Sequence, residues 1–240
     1  WTGKEMIVWG GTGGPGGELN TGGRYNPDTD QWTPLSPPAW VVKREFHTAV
    51  WTGEAMLVWG GRWTDDIGIH PVNSGFAYYP STDNWIAMST VDAPAERYSH
   101  TAVWTGLYMI IWGGRGAGYL NTGGMYNIQD DNWTPTPTLG APSARYDHVA
   151  VYTGHEMVIW GGYAFGNFPT LGARLDPDTE VWTDLPEIDV PAGRFRASAV
   201  WTGESMIVWG GNGCLDPPTC SSVGSRSEEH TSELQSRQSI

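Results

Sequence analysis

The chain has 240 residues, including 15 Trp, 33 Gly and 17 Pro, and a net charge of −13. Abundant aromatic and turn-forming residues beside few charges favour short strands and argue against helices and against disorder. The acidic balance excludes a nucleic-acid backbone as an expected partner. Because no run of about 18 apolar residues occurs, we expect no insertion into a membrane.

An eleven-residue segment, WTGEAMLVWGG at 51–61, recurs in close variants along the chain. The Trp before the Gly pair returns after 50, 53, 48 and 49 residues, at positions 9, 59, 112, 160 and 209. A second series of Trp at 32, 85, 133 and 182 follows the same period. Most Trp residues are therefore predicted to be core residues of a repeated unit.

One unit reads, in chain order, as four short strands: FHTAVWT, AMLVWGG, GFAYYP and NWIAM. The first two are joined by a Gly-containing hairpin turn, and the last two by YPSTDN, which is rich in turn-forming residues. Four antiparallel strands in a unit of roughly 50 residues are typical of a propeller blade.

These residues resemble the kelch repeat family, whose marks are a Gly pair, a third-strand Tyr and a fourth-strand Trp. The marks recur at Gly10-Gly11, Tyr25 and Trp32, at Gly60-Gly61, Tyr78 and Trp85, and at Gly113-Gly114, Tyr126 and Trp133. The fourth unit keeps Gly161-Gly162 and Trp182 but has Leu175 for the Tyr. The resemblance implies an all-β kelch β-propeller, here an incomplete arc of about four to five four-stranded blades.

The period divides the chain into a partial blade at 1–40, blades at 41–93, 94–141 and 142–190, a partial blade at 191–213, and a tail at 214–240. We expect the segment to be an arc cut from a larger ring; closure of four blades by the fifth unit is the less favoured alternative. Cys214 and Cys220 either form a local disulfide or remain free thiols.

The tail breaks the repeat. Its residues 226–236, RSEEHTSELQS, match the in-frame translation of a common sequencing-library adapter at every position. The tail is therefore predicted to be an artefact of sequence assembly, with an ordinary disordered polar tail as the alternative. A transcript from the source that encodes this tail would refute the artefact hypothesis.

All variation in repeat length falls between the Gly pair and the third strand. That step measures 11, 14, 9 and 10 residues in successive units, whereas the other steps are constant. Because length can change only in loops, these variable loops are expected to share one face and to carry binding. The predicted ligand-binding residues in them are Trp63, Asp65, Asp66, His70, Arg115, Tyr119, Tyr163, Phe165 and Phe168. The alternative is that each ring folds back onto its own loop.

An Arg opens each full unit, in the sequences REFH, RYSH, RYDH and RFRA. These side chains could ring a channel entrance and bind an anionic or polyhydroxyl ligand, or they could pair with carboxylates; they are Arg44, Arg97, Arg145 and Arg194. The recurring His47, His100 and His148 are expected to form hydrogen bonds within their blades and not to bind a metal, because equivalent positions on separate blades lie too far apart.

The favoured function is a non-catalytic, monomeric scaffold that binds a protein or a glycan through the variable loops, with no cofactor and no metal. The alternative is a fragment of a kelch-type enzyme, a galactose-oxidase-like oxidase or a sugar isomerase, whose catalytic groups lie outside this segment. A local disulfide would suit an extracellular or periplasmic location.

Overall fold

The computed structural model describes residues 1–14 and 17–213, together with the backbone of 232–234. The described parts are all-β, as predicted, and their strands form antiparallel sheets in sequence order. Blade 1 contains β1 (Met6–Trp9), β2 (Gly22–Asn26) and β3 (Gln31–Pro34). Blade 2 contains β4 (Thr48–Trp51), β5 (Met56–Trp59), β8 (Gly75–Tyr79) and β9 (Asn84–Ala87), with the hairpin of β6 (Arg62–Thr64) and β7 (Ile69–Pro71) inserted after β5.

The next two blades each form one sheet of four strands. Blade 3 contains β10 (Thr101–Trp104), β11 (Tyr108–Trp112), β12 (Gly123–Asn127) and β13 (Asn132–Pro135). Blade 4 contains β14 (Val149–Tyr152), β15 (Met157–Trp160), β16 (Ala173–Asp176) and β17 (Val181–Asp184). Their order in each sheet follows the chain, so that consecutive strands are neighbours.

Blade 5 begins with β18 (Arg194–Phe195), β19 (Ser198–Trp201), β20 (Met206–Trp209) and β21 (Asn212–Gly213). β18 pairs with β21, and β19 pairs with β20. The third-strand position beside β20 is taken by β22 (Ser232–Leu234), which lies within the adapter-like tail. Cys214 and Cys220 lie outside the described residues.

The register places the repeated residues opposite one another. In blade 3, Trp112 pairs with Gly123 and Tyr126 pairs with Trp133. A Cβ at Gly123 would clash with the carbonyl oxygen of Ile111, so only Gly allows this approach of β11 and β12. The same opposition of Trp and Gly recurs in blades 1 and 2, as Trp9 with Gly22 and Trp59 with Gly75.

The hydrophobic cores lie between blades and not within them. Among the described residues, four clusters of buried side chains occur, and each draws its members from two consecutive blades. The cluster between blades 2 and 3, for example, contains Leu57 and Trp59 from one and Ile111 and Trp133 from the other. First strands of neighbouring blades, β4 with β10, β10 with β14 and β14 with β19, also contact each other along the inner side of the arc.

The two Trp series meet in these interfaces. The second-strand Trp of one blade contacts the fourth-strand Trp of the next, with ring centroids 5.3 to 6.4 Å apart; the pairs are Trp9 with Trp85, Trp59 with Trp133, and Trp112 with Trp182. Trp133 and Trp182 also donate their ring N–H to backbone carbonyls of the preceding blade. Burying an aromatic ring contributes roughly 1.5–3 kcal/mol, so each pair is a principal tie between blades.

The end blades show what a neighbour contributes. Trp32 is 55% exposed although Trp85, Trp133 and Trp182 are at most 8% exposed. Trp209 is likewise 47% exposed, whereas the equivalent Trp59 is fully buried. Each frame Trp is therefore covered by the adjacent blade, and none of the described residues supplies that cover for Trp32 and Trp209.

The Tyr of the third strand caps the turn that follows it. Its hydroxyl donates to an Asp five residues later, at 2.7 to 2.9 Å; the pairs are Tyr25 with Asp30, Tyr78 with Asp83, and Tyr126 with Asp131. Each of these Asp residues has a positive φ. In blade 4 both partners change together, to Leu175 and Glu180.

The described residues contain no helix long and apolar enough to cross a membrane.

We expect Gly60→Ala to destabilise the fold more than Gly210→Ala, although both residues are the first Gly of a pair and have nearly the same φ, +66° and +68°. A Cβ at Gly60 would lie 2.6 Å from Cε1 of His100 and 3.0 Å from the carbonyl oxygen of Arg97, whereas one at Gly210 meets none of the described residues within 4 Å. Backbone strain costs about 1–3 kcal/mol at either site, and the contact adds to it at Gly60 alone. Urea unfolding of both variants measures the difference; equal losses would show that the contact between blades is unimportant.

Candidate functional site

The variable loops lie beside the segments that link the blades. The backbone N–H of three linking Arg residues donates to a carbonyl of the preceding blade's variable loop: Arg44 to Leu19, Arg97 to Val72, and Arg145 to Leu120, at 3.1 to 3.2 Å. The carbonyl of the same Arg accepts the N–H of the second Gly of the preceding blade's Gly pair, at 2.8 to 2.9 Å. The linking Arg is thus fixed to the preceding blade by its backbone.

The guanidinium of the same residue binds its own blade. In blade 3, Nη1 of Arg97 donates to the carbonyl oxygens of Gly113 and Thr122 at 3.0 and 2.5 Å, and Nε donates to that of Ala95. Arg44 and Arg145 repeat this pattern. Burial lowers the pKa of all three to about 10, which leaves them charged at neutral pH.

These contacts correct the expectation that the linking Arg residues form a ligand-binding ring. Arg44, Arg97 and Arg145 are at most 2% exposed, and backbone carbonyls, not carboxylates, surround their charges. A ligand from solvent cannot reach them. Arg194 is half-buried and keeps two such bonds, to Ala192 and Gly210, so its role in ligand binding remains a prediction.

The His that follows the Arg bonds across the blade interface, contrary to the expectation of a bond within the blade. Nε2 of His100 lies 2.8 Å from the hydroxyl of Thr48, and Nε2 of His148 lies 2.8 Å from that of Thr101. At the next interface both positions are apolar, Val149 and Ala197. The His is lost where its hydroxyl partner is lost, because a buried imidazole requires a partner.

The loop of blade 2 is a hairpin whose rings pack on each other. Trp63 stacks on His70, with centroids 4.1 Å apart and planes inclined by 19°. Nε2 of His70 lies 2.8 Å from Oδ1 of Asp65, which also accepts two backbone N–H groups of the turn and whose pKa is lowered by these hydrogen bonds. The structure thus brings Trp63, Asp65 and His70 together within their own loop. Asp66, the fourth predicted residue, is exposed and makes no side-chain hydrogen bond or ion pair with the described residues.

The loops of blades 3 and 4 form one aromatic cluster. Tyr119 contacts Tyr146 and Phe165, with centroids 5.3 and 4.6 Å apart. Tyr163 connects this group to Phe168, whose ring stacks on Phe195 of blade 5 at 5.6 Å. The structure therefore brings Tyr119, Tyr163, Phe165 and Phe168 together, as one group separate from the hairpin of blade 2. Phe165 projects from it and is 73% exposed.

Sequence reasoning missed the aromatic residues of the linking segments. Tyr98, Tyr146 and Phe195 all follow the linking Arg directly, and each contacts a variable-loop side chain. The signal was present in RYSH, RYDH and RFRA, where an aromatic residue occupies the same position.

The next linking residue carries a strained backbone. Phe46, Ser99, Asp147 and Arg196 all have φ between 52° and 55°. The N–H of each donates to the carbonyl of its counterpart in the preceding blade, Ser99 to Phe46, Asp147 to Ser99 and Arg196 to Asp147, at 2.9 to 3.0 Å. This series of backbone bonds follows the inner rim of the arc. It fixes the linking segments, which the variable loops contact. Positive φ in residues other than Gly is uncommon and often marks functional sites.

Repeated four-stranded antiparallel sheets, packed face to face around an inner row of first strands, define the fold as an arc of a β-propeller. The model of the KLHDC2/KLHL20/DRC7 Kelch-repeats domain matches residues 1–162 and, in a second placement, residues 46–220. The chain belongs to the kelch-repeat family, which indicates a β-propeller scaffold for protein interaction. A search of curated proteins gave no significant match.

A metal centre was not expected at the His positions. Within residues 1–14 and 17–213, no group of three or more His, Cys, Asp or Glu side chains is placed to hold a metal ion. Asp176 and Asp178 lie two residues apart in the turn after β16, where the N–H of Asp178 donates to Oδ1 of Asp176.

Replacing a linking Arg should cost more where it is fully bonded. We expect Arg97→Met to lower the free energy of unfolding by about 3 kcal/mol, because it leaves several buried carbonyls unbonded at about 1–3 kcal/mol each. Arg194→Met, at a half-buried position with fewer bonds, should cost less than half as much. Denaturant unfolding measures both, and equal costs would contradict the assigned role.

The buried His residues should make stability depend on pH. Burial, aided by the neighbouring Arg charge, lowers the pKa of His148 to about 3 and that of His47 to about 4, from 6.5. Above pH 6.5 these His side chains are neutral in both the folded and the unfolded chain. Between pH 6.5 and pH 4 they gain protons mainly in the unfolded chain, so the free energy of unfolding should fall as the pH is lowered through this range. His148→Ala, which copies Ala197, should reduce the slope by up to about 1.4 kcal/mol per pH unit. Urea titrations between pH 8 and pH 4 test this, and an unchanged slope would refute it.

Proposed function

We propose that this kelch propeller segment is a non-catalytic scaffold that binds a protein partner through its variable-loop face. The observation that carries the proposal is the aromatic cluster of blades 3 to 5, from which Phe165 projects 73% exposed beside the exposed Arg115. Tyr, Phe and Arg are enriched at the centres of protein interfaces.

The difference between the buried, constant positions of the repeat and its variable loops supports this proposal. Frame positions are buried and bonded between blades, so they hold a fixed spacing and leave little surface for recognition. The variable loops differ in length and content while standing on the fixed rim of linking segments. A rigid platform with divergent aromatic loops is the arrangement that binding proteins use.

Within the loop face, the exposed side chains are the better candidates for contact. Phe165, Arg115 and Asp66 are exposed, whereas Trp63 has one ring face covered by His70. Removal of an exposed aromatic anchor typically costs 2 kcal/mol or more of binding free energy. A carbohydrate ligand, or a catalytic role supplied from outside this segment, is the competing proposal.

The test is a selection of binders from a random peptide library displayed on phage, using the whole chain as bait. Phe165→Ala should weaken the selected peptides at least tenfold, because the exposed ring is their anchor. The matched control is Leu107→Ala, which removes an exposed apolar side chain from a first-to-second strand turn on the opposite side of the blades. Affinity is measured by biolayer interferometry.

If Leu107→Ala loses binding, or if Phe165→Ala binds as well as the unchanged chain, recognition lies elsewhere and the proposal is contradicted. A glycan array run in parallel separates the competing ligand class: binding of oligosaccharides with no peptide selected would overturn protein binding in favour of carbohydrate binding.

A further inference from the structure

Two Arg residues occupy the same place in successive blades, directly after the Gly pair. Arg62 of blade 2 is satisfied by its own blade: its guanidinium bonds the carboxylate of Glu45 at 2.9 and 3.0 Å. The group also lies over the rings of Phe46 and Tyr98, at 4.8 and 4.7 Å from their centroids. The charge of Arg62 is therefore already paired with a carboxylate of the same blade.

Arg115 of blade 3 pairs through its backbone with the residue after the linking Arg, as Arg62 does, but that residue carries a different side chain. Glu45 pairs with Arg62 across an isolated bridge, and Tyr98 pairs with Arg115 across the equivalent bridge. The carboxylate of blade 2 is thus replaced by a phenol ring. Among the described residues Arg115 makes no ion pair and no side-chain hydrogen bond, and it is exposed.

The surroundings of Arg115 are aromatic and do not compensate its charge. The guanidinium lies 5.9 Å from the ring centroid of Tyr119 and 6.0 Å from that of Tyr146. The carboxylate that follows Tyr146, Asp147, is bonded to Nε of Arg196 at 2.9 Å. In a chain with a net charge of −13, Arg115 is thus an exposed cation that pairs with no carboxylate of the described residues.

An apolar surface adjoins this cation. The ring of Tyr119 contacts Phe165 at 4.6 Å between centroids, so Arg115 and the exposed Phe165 flank the same ring. Because Arg115 is exposed, its guanidinium is accessible to a carboxylate from solvent, which it can bind through two parallel N–H groups.

We propose that Arg115 binds an Asp or Glu side chain of the protein partner, and that an apolar residue next to this acid packs on Phe165. The inference rests on the proposed function and specifies its ligand. The partner supplies in trans the carboxylate that Glu45 supplies to Arg62 in cis.

The probe is a set of five nonapeptide pools with a central Xaa-Phe pair and random flanks, where Xaa is Asp, Glu, Asn, Gln or Lys. At low salt the Asp and Glu pools should bind the whole chain about tenfold better than the Asn and Gln pools, and the Lys pool should bind worst. Because the attraction is electrostatic, the ratio should fall as salt rises. Arg115→Gln should abolish the ratio, and since the side chain is exposed its unfolding curve should not change.

Two further variants keep the test decisive. Tyr98→Glu copies the pairing of blade 2, so it should abolish the acid preference with Arg115 still present. Phe165→Ala should weaken all the pools and leave their ratio unchanged.

Failure of this inference and failure of the proposed function give different results. Equal binding of acidic and neutral pools that still depends on Phe165 would overturn the role of Arg115 and leave the loop face as the binding surface. Acid preference that survives Arg115→Gln would also overturn it, as would the absence of binding to the acidic pools.

Discussion

The fold depends on the junction between each linking Arg and the two Gly pairs around it. The backbone of Arg97, for example, is bonded to Val72 and Gly61 of blade 2, while its side chain is bonded to Gly113 of blade 3. One residue therefore ties two sheets together, and a buried cation is tolerated because backbone carbonyls surround it. Both members of each Gly pair have positive φ, which lets the second N–H turn towards the Arg carbonyl of the next blade. The other polar bonds between blades, such as those of Thr48 with His100 and of Trp133 with Ser89, each join only two groups, whereas this junction joins two backbone groups of one blade, through a single Arg, to backbone carbonyls of the next.

The copies of the repeat within this one chain show which contacts form units. Thr48 with His100 and Thr101 with His148 become Val149 with Ala197, and the Tyr–Asp turns become Leu175 with Glu180. In each case both partners change together, since one polar group left alone in a buried place costs about 1–3 kcal/mol. The Trp pairs do not change in this way, because apolar contact needs only volume and not a specific partner.

The sequence was sufficient for the four strands of a blade, the Gly pairs and the burial of most Trp residues, because each obeys a period of about 50 residues. It did not reveal the hairpin of β6 and β7, or that the Trp residues before the Gly pairs are buried between blades. It was insufficient for the direction of polar bonds. The recurrence of His100 shows that it has a constant partner, but not that the partner is Thr48, 52 positions away in the preceding blade. For the same reason Arg97 could be placed at the start of a unit but not paired with the carbonyl of Gly113. In the loops, the packing of Trp63 on His70 follows from a three-residue hairpin register that no repeat specifies.

The residue after the linking Arg, Glu45 in blade 2 and Tyr98 in blade 3, lies opposite the residue after the Gly pair, Arg62 or Arg115. Its side chain decides whether the charge of that Arg is paired within the blade. Glu45 neutralises Arg62, whereas Tyr98 leaves the charge of Arg115 unpaired, and Tyr146 and Phe195 extend the surface with rings. That position is free to vary because its backbone, and not its side chain, makes the bridge to the variable loop. One side chain per blade can therefore change the chemistry of the loop face while the Arg, the Gly pair and the Trp pairs remain. The strained residue next to it, such as Asp147, holds its place through a backbone bond as well, so the rim keeps its shape whatever the loops become.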